Sequence, residues 1–406
     1  MSRIKVCLVT IEYPPDPGGV GQSVCRIARM LRDSGYEVHV AVFHTRQALS
    51  SDGIVERGYD RECQEGIHVY RMRASIKSDV NEVVEFLSDV ALELRGLHQQ
   101  VGFGLFHAFF ANETAFVATL VARELGVPVV VSVRGADLHK NVFNSRHLAH
   151  IIWTLENATW TTCVSRELES RAHVLAPGSI GRTQAFWNSV ERFSLVPVSP
   201  RPPLAQRCQG LVVGTSGRFR NKKGVEYLIQ ACVSLRKELP LTLLLVGDFV
   251  EKEKSYWMQF IEECGMGDMT VLTGFVSREE ALAYLPVMDI FVMPSLRDGC
   301  PNSLLEAMMA GRAVVGTAVD AIGEILIDGE NGLVVEPASA DALAGAIRKL
   351  AADRPLRCRL GRAARQFALK ELSPHVEREH WLEVYRRALE ESCPRRDAFV
   401  VTETRY

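Results

Sequence analysis

The chain predicts an α/β protein built from two doubly wound parallel sheets in tandem, and three observations predict it. At 406 residues it is too long for one ordinary core. Short β-branched runs alternate with amphipathic stretches nearly throughout, the pattern of parallel strands covered by helices on both faces. The densest proline cluster, PVSPRPP at 197–203, interrupts this alternation near the middle, and the pattern then restarts.

Taken in order, the first half gives strands over 5–11, 38–43, 68–71, 105–109, 129–133 and 160–164, with helices over 21–34, 81–99 and 113–125. After the prolines come strand 211–215, helix 225–239, strand 242–247, helix 254–264, strand 270–273, helix 278–284, strand 290–294, helix 301–310 and strand 313–317. Helices over 341–352, 355–370 and 374–391 follow, and the tail after Cys393 is charged. The expected domains are 1–197 and 204–373, with 197–203 as a hinge and the helix 374–391 crossing back to the first domain. An open parallel sheet puts its ligand crevice at the carboxyl ends of its strands. If those ends face each other, the active site is the cleft between the domains.

Composition narrows the function. Hydrophobic content of 47% and charged content of 24% are those of a soluble globular protein. A net charge of −2 argues against nucleic acid as the main partner. Apolar runs such as 241–246 are far too short to span a bilayer. The start, MSRIKVCLVTIEY, reads as a buried strand rather than a signal peptide. The 10 cysteines include no CxxC pair, which suits reduced thiols and a cytoplasmic location.

Two segments read as halves of one phosphate site. GTSGRFRNKKG at 214–224 offers a glycine-rich strand end, with Gly217 in the turn, followed by Arg218 and Lys223. SLRDGCPNSLLEAMMAG at 295–311 puts Asp298 before a helix whose first position suits Pro301. The N–H groups of Asn302 and Ser303 would then face an anion, with Glu306 one turn further on the same face. The plainer readings are a solvated basic loop, since Arg220 and Lys222 add charge, and an ordinary exposed helical glutamate. PPDPGGVGQS at 14–23 could bring Gly18, Gly19 and Gly21 to a phosphate, or be only a tight turn. It lacks the G-x-G-x-x-G spacing because Val24 holds the last position.

At the first sheet's strand ends stand His107, Arg134 and Asp137, with Glu113 opening a helix. A lone histidine on an apolar strand is more often a satisfied core residue than a catalyst. His68, His98, His139, His147 and His150 show no metal-ligand spacing. Arg26, Arg29 and Arg32 recur at helical spacing, either as a solvated face or as a contact with an anionic membrane surface.

Together these segments resemble the retaining glycosyltransferases of family 4, the group 1 transferases with the GT-B fold. The resemblance covers nearly the whole chain. It rests on YPPDPGGVGQS, FHAFFANETA, GVPVVVSVRGADL, NSVERF, GRFRNKKG, LVGD, LTGFVSREE, RDGCPNSLLEAMMAG and GLVVEP. It implies that Arg218 and Lys223 bind the donor's diphosphate, Glu306 the ribose hydroxyls and Asp298 the transferred sugar. Gly299, Cys300, Pro301, Asn302 and Ser303 would line sugar and phosphate, and Val276 would lie by the nucleobase. Gly18 and Gly19 would close over the donor, with His107, Glu113 and Asp137 on the acceptor side. Two departures stand out: Asp298 replaces the family's usual glutamate, and Arg134 its usual histidine. Arginine is always charged and cannot serve as a base at neutral pH.

The implied reaction moves a hexose from a nucleotide diphosphate sugar to an acceptor hydroxyl with retention at the anomeric carbon. No divalent metal is expected, and no side chain is an obvious covalent nucleophile. The implied acceptor is a sugar or lipid-linked saccharide of the cell envelope or of an extracellular polysaccharide, reached from the cytoplasm with possible peripheral membrane contact. A nucleotide-sugar epimerase and a nucleotide-sugar-binding protein without turnover are the alternatives.

Overall fold

In the computed structural model β1 (Lys5–Thr10) lies between β2 (Glu37–Phe43) and β5 (Leu105–Phe109), all parallel. The structure describes residues 3–16, 18–43, 58–73, 80–193 and 202–391. The chain divides into two units, one running to Phe186 and resuming at Arg378, the other Trp187–Glu377.

The first unit continues with α1 (Gly19–Asp33), β3 (Gly58–Gln64), β4 (Ile67–Arg73), α2 (Val80–Val101), α3 (Glu113–Leu125), β6 (Val129–Val133), α4 (Ala136–His139), α5 (Ser145–Asn157), β7 (Trp160–Cys163), α6 (Arg166–Leu175) and β8 (Thr183–Ala185). Its sheet has the order β3-β4-β2-β1-β5-β6-β7-β8, with β3 antiparallel to β4 and the other pairings parallel. Every residue of β5 and β6 is buried, as expected of central parallel strands. Gly126, in the left-handed conformation, closes α3.

The second unit holds β9 (Leu211–Ser216), α7 (Val225–Leu235), β10 (Leu241–Val246), α8 (Glu251–Glu263), β11 (Thr270–Leu272), α9 (Arg278–Tyr284), β12 (Ile290–Met293), α10 (Asn302–Met309), β13 (Ala313–Thr317), α11 (Asp320–Ile325), β14 (Leu333–Val335), α12 (Ala340–Ala352) and α13 (Arg354–Glu371). Its six strands run parallel in the order β11-β10-β9-β12-β13-β14. Alternate strand residues feed two cores. Val213, Leu243, Leu245 and Val292 pack on one face, and Val212, Leu244, Val246 and Phe291 on the other.

The last helix, α14 (Pro374–Glu390), changes unit at Arg378. Its Trp381, Val384, Tyr385 and Ala388 join the first unit's core beside Val6, Leu8 and Phe109. Each large side chain buried there contributes about 1.5–3 kcal/mol.

The division at Phe186 falls earlier than the expected 197, because Trp187–Phe193 is bonded into the second unit. Ser189 donates from N–H and Oγ to Glu377 Oε2 at 2.9 and 2.5 Å, and the Val190 N–H donates to Leu372 O at 2.9 Å. Of the expected hinge, 197–201 lies outside the described residues, as does the tail after Cys393. No helix among the described residues is long and apolar enough to cross a membrane. The basic stripe of α1 is paired: Arg29 makes a two-point bond to Glu65 at 2.9 Å, and Arg32 donates to Glu65 O at 2.7 Å and to Asp33 at 2.8 Å. That pairing suits a solvated face. The described cysteines are free thiols, several of them core residues such as Cys7 and Cys232.

Candidate functional site

In the second sheet the strand order reverses between β9 and β12, so the loops after these strands flank the switch point where open α/β sheets bind ligands. The two loops are tied together. The Leu296 N–H donates to Lys222 O at 2.9 Å. Gly224 has φ 61°, and a Cβ there would lie 2.0 Å from Pro294 O, so only glycine permits this approach. At the β9 end, the Gly217 N–H donates to Val246 O at 2.9 Å.

This stitching sets Lys223 Nζ 2.5 Å from Asp298 Oδ2, with the two side chains 19% and 12% exposed. The two residues are 75 positions apart in sequence. Burial lowers the pKa of the neighbouring Lys222 ammonium, against the pull of Asp298. Arg218, just past β9, is exposed.

Past Asp298 the chain enters α10 with a correction to the expected start. Pro301 is the capping residue (φ −75°, ψ 117°) and the helix begins at Asn302, because the extended ψ of Pro301 precedes helical geometry. No side chain caps α10 and its first turn carries no acid. Its positive end is therefore not neutralised from within the helix. Asn188 donates from Nδ2 to Cys300 O and to Asn302 Oδ1, both at 3.2 Å. Gly299 and Ser303 lie in the same run, Gly299 buried and Ser303 half-buried.

Glu306 is largely sheltered, its side chain 15% exposed, so it is not an ordinary surface glutamate. Its Oε1 accepts from Arg278 Nε at 2.9 Å. Arg278 opens α9 just after Val276, so the loop after β11 also reaches the α10 face. The half-buried Val276 packs against the core that holds Met308, and its neighbour Phe275 is exposed.

Asp298 has a second partner. Its N–H donates to Asp320 Oδ2 at 2.8 Å, from the first residue of α11, just after β13. Asn188 and Arg278 lie inside the NSVERF and LTGFVSREE runs without an expected role, and Asp320 lies outside every such run; topology brings all three to the site.

In the first unit the order reverses between β1 and β5. Gly18 precedes α1 and Gly19 is its first residue. A Cβ on Gly18 would lie 2.1 Å from Glu12 Oε2, so a larger residue there would displace the Glu12 carboxylate. Gly21 lies within α1, against the Glu12 backbone.

Two expected acceptor-side residues are corrected. His107 is fully buried; its Nδ1 meets Tyr385 OH and its Nε2 meets Ser132 Oγ, each at 2.8 Å. Burial, and secondarily the Arg134 cation, push its pKa well below the usual value, so it is a neutral core residue. Asp137, also fully buried, accepts from the N–H groups of Ala111 and Arg134 at 3.1 Å and of Gly135 at 2.8 Å. Its carboxylate shapes the loop by accepting these N–H groups. Glu113 is buried in the first turn of α3, and Arg134 is half-buried after β6.

Within the first unit, among the described residues, one histidine cluster escaped the spacing criterion. Glu37, His39 and His68 place one ligand atom each within 4.8 Å. They stand at the amino ends of β2 and β4, away from the switch-point loops, and His39 Nε2 meets Glu37 Oε1 at 3.0 Å.

Against known proteins, residues 202–367 match the model of glycosyl transferases group 1, and residues 18–175 match a glycosyl transferase 4-like domain. An uncharacterized glycosyltransferase of Methanocaldococcus jannaschii is 25% identical over 373 residues, 91% of this chain and 95% of that one. Among solved structures, sucrose-phosphate synthase from Thermosynechococcus elongatus superposes with a TM-score of 0.79 at 20% identity, covering 96% of this chain and 100% of that one. Anabaena HepE in complex with UDP-glucose gives 0.74 at 18% identity, covering 95% and 100%. These likenesses establish the fold as GT-B.

Proposed function

Because the chain belongs to the group 1 glycosyltransferases, we propose that it moves a hexose from a nucleotide diphosphate sugar to an acceptor hydroxyl, with retention at the anomeric carbon. The observation that carries this reading is the sheltered Lys223–Asp298 pair at the switch point, beside the uncapped start of α10. A cation, a helix N-terminus and a carboxylate together suit a diphosphate joined to a sugar. A nucleotide-sugar donor is also in keeping with the UDP-glucose bound by HepE.

In this reading the bond from the anomeric carbon to the diphosphate oxygen breaks, and a bond to the acceptor oxygen forms on the same face. The acceptor's proton passes to a phosphate oxygen. Lys223, Arg218 and the N-terminus of α10 stabilise the negative charge that grows on the diphosphate. Asp298 meets a hydroxyl of the transferred sugar and Glu306 the ribose hydroxyls, while Val276 lies by the nucleobase. Gly299, Cys300, Pro301, Asn302 and Ser303 line sugar and phosphate. Protein cations take the place of a divalent metal. The first unit binds the acceptor, with Arg134 and the turn at Gly18 and Gly19 as its active groups. We place the reaction in the cytoplasm, with a sugar or lipid-linked saccharide of an envelope or extracellular polysaccharide as acceptor.

The test incubates the protein with labelled UDP-, GDP- and ADP-hexoses and saccharide acceptors. Transfer to an acceptor, with retained configuration by NMR, is expected. Conversion of the donor to its epimer without acceptor would indicate an epimerase. Binding with neither transfer nor hydrolysis would leave only a binding protein.

A further inference from the structure

We infer that Asp320 is a positioning residue for the transfer: its buried carboxylate fixes the backbone of Asp298, so that Asp298 presents its own carboxylate to Lys223 and to the donor sugar. This rests on reading the loop after β12 as part of a nucleotide-sugar site.

β13 lies beside β12, so the turn after β13 adjoins the loop after β12. Three bonds cross between them. Thr317 Oγ1 donates to Ser295 O at 2.6 Å. Asp320 Oδ2 accepts the Asp298 N–H at 2.8 Å, and the Ala321 N–H donates to Gly299 O at 3.3 Å. Asp298 and Gly299 are thus held from both sides, by an acceptor for one and a donor for the other. These two residues immediately precede the segment that enters α10.

The conformation of Asp320 points the same way. It is 4% exposed and has φ 42°, in the left-handed region that most side chains avoid and aspartate tolerates. A turn that needed only this conformation would be met by glycine. What aspartate adds is the oxygen that reaches Asp298.

The experiment compares the full-length wild type with D320G, D320N and D298N. It measures melting temperature, calorimetric affinity for UDP, GDP and ADP, and the turnover rate with the corresponding nucleotide-glucose donors. D320G keeps the backbone conformation but removes the oxygen. It should hold nucleotide affinity within about threefold and lose about tenfold or more in kcat. D320N tolerates the same φ and retains an acceptor oxygen, so it should restore kcat to within about threefold of wild type. Wild-type kcat in D320G overturns the inference. So does a parallel fall of nucleotide affinity and kcat in D320G, which marks general damage. If D320G does not fold, a folded D320N with a tenfold loss of kcat overturns it too. D298N separates the two levels. If D298N turns over like wild type, the sugar-site reading itself fails. If D298N is impaired and D320G is not, only the role of Asp320 fails.

Discussion

Replacing Lys223 by methionine should cost the folded protein roughly 1–2 kcal/mol and the reaction about 100-fold, and the two losses have separable origins. The stability term comes from the pair with Asp298 at 2.5 Å, whose side chains are only 19% and 12% exposed. An exposed pair would contribute about 0–1 kcal/mol. Removing one partner of a fully buried pair costs about 3–5 kcal/mol. This pair lies between those limits, and Lys222 remains within electrostatic reach of Asp298 to offset part of the loss. A double-mutant cycle of K223M, D298N and both, read by urea unfolding, should give a coupling of about 1–2 kcal/mol. Coupling under roughly 0.5 kcal/mol would mean that the pair is not formed in solution.

The catalytic term is different in kind, because it belongs to the charge that develops on the departing diphosphate. K223M should lower kcat/KM by about 100-fold, near 2.7 kcal/mol, the scale of one preorganised contact. D298N frees the same ammonium, so it should bind nucleotide diphosphate at least as tightly as wild type while transferring sugar slowly. A folded K223M with wild-type kcat/KM would refute the phosphate role.

Glu306→Gln should weaken nucleotide diphosphate binding about 10- to 150-fold, the ~1.5–3 kcal/mol of a charged hydrogen bond, and unchanged calorimetric affinity removes Glu306 from the site. Transfer should persist in excess EDTA, and loss restored by Mg²⁺ or Mn²⁺ would sink the metal-free mechanism. Arg134→Ala should cut transfer about tenfold or more with nucleotide affinity held within about threefold, and lost affinity at normal kcat would make Arg134 a donor anchor instead. His107 makes stability pH-dependent: burial and then Arg134 lower its folded pKa, so below about pH 6.5 the unfolded chain takes up a proton that the folded chain refuses. Its contribution is complete above about pH 6.5 and is lost as pH falls, by up to ~1.4 kcal/mol per pH unit. His107→Gln should shrink the loss of urea-unfolding free energy between pH 6.5 and 5, and identical slopes would contradict this.

What could be read in the sequence follows from where the physical signal resides. LFHAF, VVVSV and AVVGT are short apolar runs between turn residues, and they form β5, β6 and β13 with the expected bounds. β3 was missed because GYDRECQ is a polar antiparallel edge strand with neither an apolar run nor clean alternation. β8, β14 and α11 were missed because three to six residues carry too little periodicity. At the site, glycine and helix-start signals brought Lys223 and Asp298 to one place, but not their direct ion pair. The bonds of Arg278, Asn188 and Asp320 have no local signature, since their partners lie 28, 112 and 22 residues away. Asp137 shows the converse: a titratable residue at a strand end has found its partners inside the protein, as the apolar strand around His107 already favours for that residue.

The failure at Asp137 and the oversight at Asp320 have one physical cause. In the first sheet the order β1-β5-β6 places the turn after β6 beside the loop after β5, and Asp137 accepts the N–H of Ala111 across that gap. In the second sheet the order β9-β12-β13 repeats the geometry, and Asp320 accepts the N–H of Asp298. Both carboxylates are buried, and both act one strand beyond the switch point. A loop leaving the end of a central parallel strand has N–H groups that the sheet no longer satisfies, and burial makes each unmet donor costly. An aspartate from the next strand's turn can meet that need without a bulky side chain entering the crevice. The crevice then stays open for a ligand, while its wall is held by charge-assisted bonds. Acidic residues after the strands at and next to a switch point therefore divide into two kinds that sequence does not distinguish. The Asp298 carboxylate meets the Lys223 ammonium, whereas carboxylate oxygens of Asp137 and Asp320 accept main-chain N–H groups of a neighbouring loop.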